Sequence, residues 1–173
     1  MKNIFKAKTV YFLILFLRVV FPLFIYQQPL STVLAVTFLD AVDGEFAALG
    51  VLSRKKYTEI DKILDSWWYL WALAFSYFNL RPYFILLLGL FLYRIVGIII
   101  LFKIKNRKIL AVFPNFFENA FFLFFLATYF HWSFIVSGKV LYFSLLFVFL
   151  LKILQEYWLH IAQKSIMEDV LKL

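Results

Sequence analysis

The chain has 173 residues, of which 65% are hydrophobic and 23% aromatic, and it carries a formal net charge of +8. A soluble core cannot absorb this share of apolar side chains, so the composition excludes an ordinary soluble domain and favours one compact membrane bundle over residues 1–173. The basic residues lie between apolar stretches, which is typical of contact with anionic lipid headgroups, and nucleic-acid binding is not expected. Without cysteine, neither a disulfide framework nor a thiolate metal site is possible.

Six apolar stretches follow one another along the chain. Each has about 18–23 residues, which is enough for a helix to cross the hydrocarbon layer. The predicted spans are Thr9–Tyr26, Leu30–Gly50, Thr58–Leu80, Pro82–Phe102, Ile109–Phe130 and Val140–Ala162. We therefore predict an all-α polytopic membrane protein with six transmembrane helices.

Lysine and arginine residues predict how this bundle is oriented. With the amino terminus in the cytoplasm, most of them fall on the cytoplasmic side, and only Arg81 and Lys139 fall on the other. Both termini are therefore expected in the cytoplasm. The charged residues within the spans lie within about 15 Å of that side, at about 1.5 Å per helical residue. This predicts a polar cavity that faces the cytoplasm, at the inner membrane if the source is a prokaryote.

Four aspartates, Asp40, Asp43, Asp61 and Asp65, lie in the second and third predicted spans. In an antiparallel hairpin around the turn Val51–Tyr57, Asp40 lies at the height of Asp65. Asp43 then lies at the height of Asp61, and the spacings of three and four residues keep each pair on one helical face. Each carboxylate costs roughly 2.5–3.5 kcal/mol at the centre of a membrane helix, and repulsion adds to this. The cluster therefore predicts a bound cation, in the simplest case one or two divalent metal ions.

The hairpin segment 40–65 resembles the signature of the CDP-alcohol phosphatidyltransferases, D-x2-D-G-x2-A-R-x8-G-x3-D-x3-D. Six of its eight fixed positions match in this sequence, at the full spacing. Ala48 stands where the signature has arginine, and Tyr57 stands where it has its second glycine. A long gapped pattern that matches in register is a more specific signal than two loose acidic pairs.

The resemblance implies a metal-dependent transferase of phospholipid biosynthesis. Such an enzyme transfers a phosphatidyl group from a CDP-linked lipid to an alcohol and releases CMP, and it works as a homodimer among membrane lipids. By resemblance, two Mg²⁺ or Mn²⁺ ions are held by Asp40, Asp43, Asp61 and Asp65. Asp65 would also take the proton of the attacking hydroxyl group as the catalytic base. Gly44 and Ala47 would leave room for the nucleotide.

Other polar residues are candidates for the rest of such a site. Positive charge for the phosphate groups is expected from three arginines at suitable depth, Arg18, Arg54 and Arg94. Asn115 and Glu118 could line a pocket for the acceptor alcohol, and an internal hydrogen-bond group between helices fits them equally well. Lys152 and Glu156 are predicted to form an i,i+4 ion pair.

Four other interpretations fit parts of the pattern. A structural cluster in which the aspartates pair with Arg18 and Arg94 would leave excess negative charge. A prenyltransferase would need a second aspartate-rich element in a later span, and a divalent-cation carrier would need polar groups on the outer side. The main alternative is a degenerate relative that binds a nucleotide-lipid or a partner without turnover, which the two replaced signature positions favour.

Overall fold

The computed structural model describes the backbone of residues 2–48 and 51–160 and the side chains of residues 8–44, 51–53 and 55–157. Within these residues the protein is all-α, as predicted, with no strand. The helices are α1 (Lys2–Val20), α2 (Pro29–Ala48), α3 (Arg54–Asn79), α4 (Phe84–Ile104), α5 (Ile109–Val112), α6 (Phe116–Tyr129) and α7 (Gly138–His160). Contacts group the chain into two compact units, Met1–Phe78 and Asn79–Leu173. The prediction of a single domain is not tested by this grouping.

The first unit consists of α1, α2 and α3, and three of its aspartates, Asp43, Asp61 and Asp65, lie on the buried faces of the helices. Buried positions recur at intervals of three and four residues, which places them on one side of each helix. On α3 the buried stripe runs through Thr58, Asp61, Asp65, Trp68, Ala72 and Phe75. On α2 it runs through Thr32, Val36, Leu39 and Asp43. Asp43, Asp61 and Asp65 therefore continue an apolar stripe, whereas the Asp40 side chain is 44% exposed.

The turn between α2 and α3 is shorter than the sequence predicts. Helix α3 begins at Arg54, so Tyr57 lies in the first turn of this helix and not in the connection. Residues 49–50 lie outside the described part of the chain. The earlier start of α3 brings the Tyr57 side chain onto the same helix as Asp61, one turn away.

The second unit contains α4 to α7 and has an aromatic core. Helix α6 buries Phe117, Phe121, Phe124 and Phe125 completely or almost completely. The ring of Tyr83 stacks on Phe124 with 4.0 Å between the ring centres. Such stacked rings stabilise the packing of α6 beyond the burial of their area.

The predicted fifth span, Ile109–Phe130, is not one continuous helix. The structure divides this stretch into α5 and the 14-residue α6. Proline restricts the residue before it to extended conformations and lacks a backbone N–H, so a helix cannot pass smoothly through Pro114. Asn115 then caps the new helix, because its side-chain oxygen accepts a hydrogen bond from the backbone N–H of Glu118.

Two helical segments in the described part of the chain are long and apolar enough to cross a membrane. These are Arg81–Ile104 and Gly138–Tyr157, and Phe116–Tyr129 is a shorter apolar helix. They qualify by length and apolar composition only. The six-span topology and the positions of both termini therefore stay predictions, and residues 161–173 lie outside the described part.

Candidate functional site: a carboxylate cluster around Arg18

The guanidinium group of Arg18 lies among all four predicted aspartates. Its Nη2 atom donates to Asp40 Oδ1 at 2.6 Å and to Asp65 Oδ1 at 2.8 Å. Its Nη1 atom donates to Asp61 Oδ1 at 3.2 Å and also to Asp43 Oδ2. The aspartates of α2 and α3 therefore converge on one point, as the hairpin geometry predicts, and that point is held by an arginine of α1.

Packing of α1 explains why Arg18 reaches this position. Among the described side chains of α1, those of residues 8–20, the buried ones are Tyr11, Ile14 and Arg18, and their spacing places them on one face of the helix. Trp67 of α3 donates its indole N–H to the backbone oxygen of Val19 at 3.0 Å. This bond ties the end of α1 to α3 directly beside Arg18, whose side chain is only 3% exposed.

Lys62 is a second cation in the cluster. Its ammonium group lies 2.7 Å from Asp61 Oδ2 and 2.6 Å from Asp65 Oδ2. It therefore bridges the two aspartates of α3 through the oxygen atoms that Arg18 does not use. Its side chain is 13% exposed, more than that of Arg18.

The charges of this cluster are unequal. Four carboxylates carry four negative charges, and the two cations that contact them among the described side chains, Arg18 and Lys62, carry two positive charges. Carboxylates in a mostly buried place are costly unless cations lie beside them. A bound metal ion therefore stays a prediction for this cluster.

Three of the four aspartates have a geometry that suits a metal ion. One carboxylate oxygen each from Asp40, Asp61 and Asp65 lies within 4.8 Å of the others. Carboxylate oxygens are the ligands that Mg²⁺ and Mn²⁺ prefer. The Asp40 side chain is 44% exposed, so the group is accessible from one side. The residues present therefore fit a divalent cation.

The fourth aspartate, Asp43, lies deeper and has different partners. It is fully buried and accepts a hydrogen bond from the Tyr57 hydroxyl at 2.9 Å, in addition to the bond from Arg18. Burial and the nearby Asp61 and Asp43 carboxylates raise the pKa of the Tyr57 phenol above its usual range, so this hydroxyl stays a donor. The prediction that Asp43 is a metal ligand is not tested by this arrangement.

Tyr57 also occupies the space beside Gly44. A Cβ atom added at Gly44 would lie 3.4 Å from the Tyr57 hydroxyl, which is ordinary contact distance. The resemblance places the nucleotide beside this glycine, and here the hydroxyl of Tyr57 from α3 lies there. The side chains of Ala47 and Arg54, predicted for nucleotide and phosphate contacts, lie outside the described residues.

The hydroxyl of Tyr11 is a buried polar group next to the cluster. Tyr11 is fully buried, and its hydroxyl has no hydrogen-bond partner among the described residues. It lies close enough to Asp43, Asp61 and Arg18 to interact with their charges. Buried hydroxyl groups almost always have a partner, so an unsatisfied one near the Asp43 and Asp61 carboxylates indicates a place where a polar ligand fits.

The remaining predicted site residues belong to a second polar cluster, in the second unit. Arg94 donates to the backbone oxygen of Phe113 at 2.5 Å and lies 4.0 Å from Glu156. Lys152 lies 3.7 Å from Glu156, which confirms the predicted i,i+4 ion pair. Asn115 bonds Glu118 at 2.6 Å. Arg94 thus has partners of its own in this unit, whereas Arg18 pairs with the aspartates as the structural interpretation expected.

Sequence reasoning missed Lys62 and Tyr11 as members of the cluster. Lys62 lies between two signature aspartates, and its spacing of three residues to Asp65 is a signal that could have identified it. Tyr11 is seven residues before Arg18, so both lie on the same face of α1. That signal becomes useful only once α1 is known to pack against the aspartate helices.

Comparisons of this chain with known protein families, with curated proteins and with solved structures gave no match. The local arrangement of the carboxylate cluster therefore carries the functional argument. The resemblance to the CDP-alcohol phosphatidyltransferases rests on the signature positions in α2 and α3 alone.

Proposed function

We propose that this chain is a membrane transferase similar to the CDP-alcohol phosphatidyltransferases. It would transfer a phosphatidyl group from a CDP-linked lipid to an alcohol, with release of CMP, in a reaction that depends on Mg²⁺ or Mn²⁺. The observation that carries the proposal is the convergence of Asp40, Asp61 and Asp65 at the signature spacing, with their oxygens within 4.8 Å of one another.

The aspartates and Arg18 would have different roles in this reaction. Asp40, Asp61 and Asp65 would hold the divalent cation, which when bound neutralises the charge of the donor's pyrophosphate. Asp65 would also take the proton of the acceptor hydroxyl, because a carboxylate beside the reacting phosphate is a suitable general base. Arg18 would orient the carboxylates, since its guanidinium group bonds all of them.

The membrane topology and the oligomeric state are part of the same proposal. Six membrane spans with both termini in the cytoplasm would place the cluster near the inner surface, where a lipid donor and a water-soluble acceptor can meet. The two apolar helical segments at Arg81–Ile104 and Gly138–Tyr157 support membrane insertion. A homodimer is expected from the resemblance.

Release of CMP from a CDP-linked lipid by the purified full chain tests the proposal. We expect turnover with Mg²⁺ or Mn²⁺ and an acceptor alcohol, loss of turnover in EDTA, and a decrease of about 10²–10⁴-fold in Asp65→Asn, because removal of a general base has effects of this size. Glu59→Gln, on the same helix but outside the described cluster, is the matched control and should retain most activity. Turnover that survives both EDTA and Asp65→Asn would refute the proposal.

A second candidate function is a relative that binds a nucleotide-lipid or a partner without turnover. The position of Tyr57 beside Gly44 favours it, since the Tyr57 hydroxyl lies in space that the resemblance gives to the nucleotide. Tyr57→Gly restores the residue of the signature and also removes the hydrogen bond to Asp43. Tyr57→Phe, which retains the ring, is the control. Tighter CDP binding in the glycine variant alone, measured by calorimetry, would show that the ring restricts the nucleotide, and equal affinities would remove this argument.

A further inference from the structure

Positive charge is concentrated where α4 ends and the chain turns towards α6. Four of the six residues 103–108 are basic, namely Lys103, Lys105, Arg107 and Lys108, and residues 81–117 contain no acidic residue. The side chains of Lys103, Lys105 and Lys108 are exposed, and none of the three pairs with a carboxylate among the described residues. Residues 102–112, which form the basic segment, therefore carry positive charge that the described residues do not neutralise.

Contacts with α4 hold the basic segment in one conformation. Lys105 follows α4 in a left-handed conformation with a φ of 57°, and its backbone N–H donates to the Leu101 oxygen at 2.7 Å. The Tyr93 hydroxyl donates to the backbone oxygen of Val112 at 2.6 Å, and Leu110 is fully buried. The lysines therefore lie on a turn that is fixed at both ends, which lowers the entropic cost of binding a partner.

Exposed apolar side chains belong to the same segment as these lysines. Ile104 is 59% exposed and Val112 is 63% exposed. The basic segment also begins where the apolar segment Arg81–Ile104, which is long enough to cross a membrane, ends. Lysines next to apolar side chains at the end of such a helix are typical of the boundary between the hydrocarbon layer and the lipid headgroups.

The directions of the helices place this charge at one end of the second unit. The ring of Phe91 contacts that of Phe117 with 5.7 Å between the ring centres, and Tyr83 stacks on Phe124. Later residues of α6 therefore meet earlier residues of α4, so the two helices are antiparallel. The basic segment lies at one end of this helix pair, and Arg81 lies at the other.

Helix α7 is in turn antiparallel to α6. The backbone N–H of Asn115 donates to Glu156, whereas the Asn119 side chain donates to the backbone oxygen of Val148. Helices α4 and α7 therefore run in the same direction, and Lys139 at the start of α7 lies at the end opposite the basic segment. The two ends of this unit thus differ in positive charge among the described residues.

We infer that the basic segment docks on the surface of a bilayer that contains anionic phospholipids. The ammonium groups of Lys103, Lys105 and Lys108 bond headgroup phosphates, and Ile104 and Val112 enter the boundary of the hydrocarbon layer. Each lysine near such a surface contributes about fivefold in affinity. This inference goes beyond the proposed transferase, since it uses no residue of the carboxylate cluster.

A fluorophore on the basic segment tests the inference, and the absence of cysteine from the chain makes site-specific labelling possible. The full chain with Ile104→Cys carries a fluorophore whose emission depends on polarity, and it is titrated with phosphatidylglycerol in micelles of a neutral detergent. We expect the emission to move to shorter wavelength, and phosphatidylcholine with the same acyl chains should give a much smaller shift. Lys103→Gln combined with Lys108→Gln should raise the phosphatidylglycerol concentration at half-maximal shift about 25-fold, because two lysine contributions are lost.

Matched controls use the opposite end of the same unit. Arg81→Gln combined with Lys139→Gln removes the same charge about 30 Å away, which is beyond the screening length, and should change the half-maximal concentration less than about twofold. A label at Phe134→Cys, an exposed position near the start of α7, should not respond to phosphatidylglycerol. About 1 M NaCl should abolish the preference for the anionic lipid, since exposed charges are then screened within about 3 Å.

Four results would overturn the inference. The half-maximal concentration could be the same with and without the two lysines, or the labels at both ends could shift equally. Competition by inorganic phosphate would indicate a phosphate site instead of a lipid surface. A polyglutamate peptide that shifts the emission as much as the lipid would indicate an acidic protein partner. None of these measurements involves release of CMP, so failure of the proposed transferase would leave this inference intact.

Discussion

The two polar clusters of this protein differ in their charge balance. In the first unit, four carboxylates face Arg18 and Lys62. In the second unit, the ion pairs join Arg94 and Lys152 to two glutamates, Glu118 and Glu156, so two positive charges face two negative charges in these pairs.

This difference separates a structural network from a candidate site. A cluster with equal numbers of positive and negative charges has no net charge to neutralise, and its ion pairs join α4 to α7 and α6 to α7. An unbalanced cluster is costly to bury on its own and becomes favourable when an external cation binds. Divalent cations should therefore stabilise variants of the first cluster and leave variants of the second unaffected.

The largest expected effect is that of Arg18→Met. Removal of the one group that bonds all four aspartates leaves buried carboxylates facing one another, and we expect a loss of about 4–5 kcal/mol of unfolding free energy in EDTA. Saturating Mg²⁺ should return about 2–3 kcal/mol, the stabilisation from a ligand near 100 times its Kd. Thermal unfolding in detergent with and without Mg²⁺ measures both. A variant as stable as the wild type in EDTA would show that the cluster does not depend on Arg18.

Arg94→Met should cost about 3 kcal/mol, since it leaves Glu156 and the Phe113 carbonyl group without this buried donor. The same unfolding measurement should show no recovery with Mg²⁺. Recovery equal to that of Arg18→Met would mean that the contrast between the clusters is wrong. Arg81→Met, at an exposed arginine of the same unit, is the control and should change stability by less than about 0.5 kcal/mol.

Gly97→Ala tests the packing that holds the balanced cluster together. A Cβ atom at Gly97 would overlap the side chain of Phe113, so we expect a loss of about 1–3 kcal/mol. Gly89 lies on the same helix with nothing near its added Cβ, and Gly89→Ala should instead raise helix stability by about 0.5–1 kcal/mol. Equal effects of the two substitutions on thermal unfolding would show that α4 does not approach Phe113 so closely.

The smallest expected effect is that of Tyr11→Phe. In EDTA it should change the unfolding free energy by less than about 1 kcal/mol, because the hydroxyl has no hydrogen bond to lose among the described residues. Mn²⁺ affinity should fall about threefold if the hydroxyl bonds a ligand of the ion. Phe12→Tyr, which adds a hydroxyl on the exposed side of α1, is the control. Unchanged Mn²⁺ affinity in Tyr11→Phe would show that this hydroxyl does not bond a ligand of the ion.

Helical periodicity predicted several features correctly because they depend on local spacing. The i,i+3 and i,i+4 positions of the aspartates placed them on one face of each helix, and the structure brings all four together. The same rule predicted the pair of Lys152 and Glu156. The all-α class followed from long apolar stretches. Hydropathy alone, however, did not predict the helix break near Pro114, where backbone geometry divides the predicted fifth span.

The amino-acid sequence by itself determined that four carboxylates would share a buried place, because helical spacing and the cost of burying charge follow from residue types and positions. Only the tertiary structure decided which cations meet them. Arg18 reaches the cluster because α1 packs its Tyr11 face inward, and Tyr57 lies beside Gly44 because α3 begins earlier than predicted. Contacts between helices depend on how whole faces pack together, which no local pattern in a single sequence specifies.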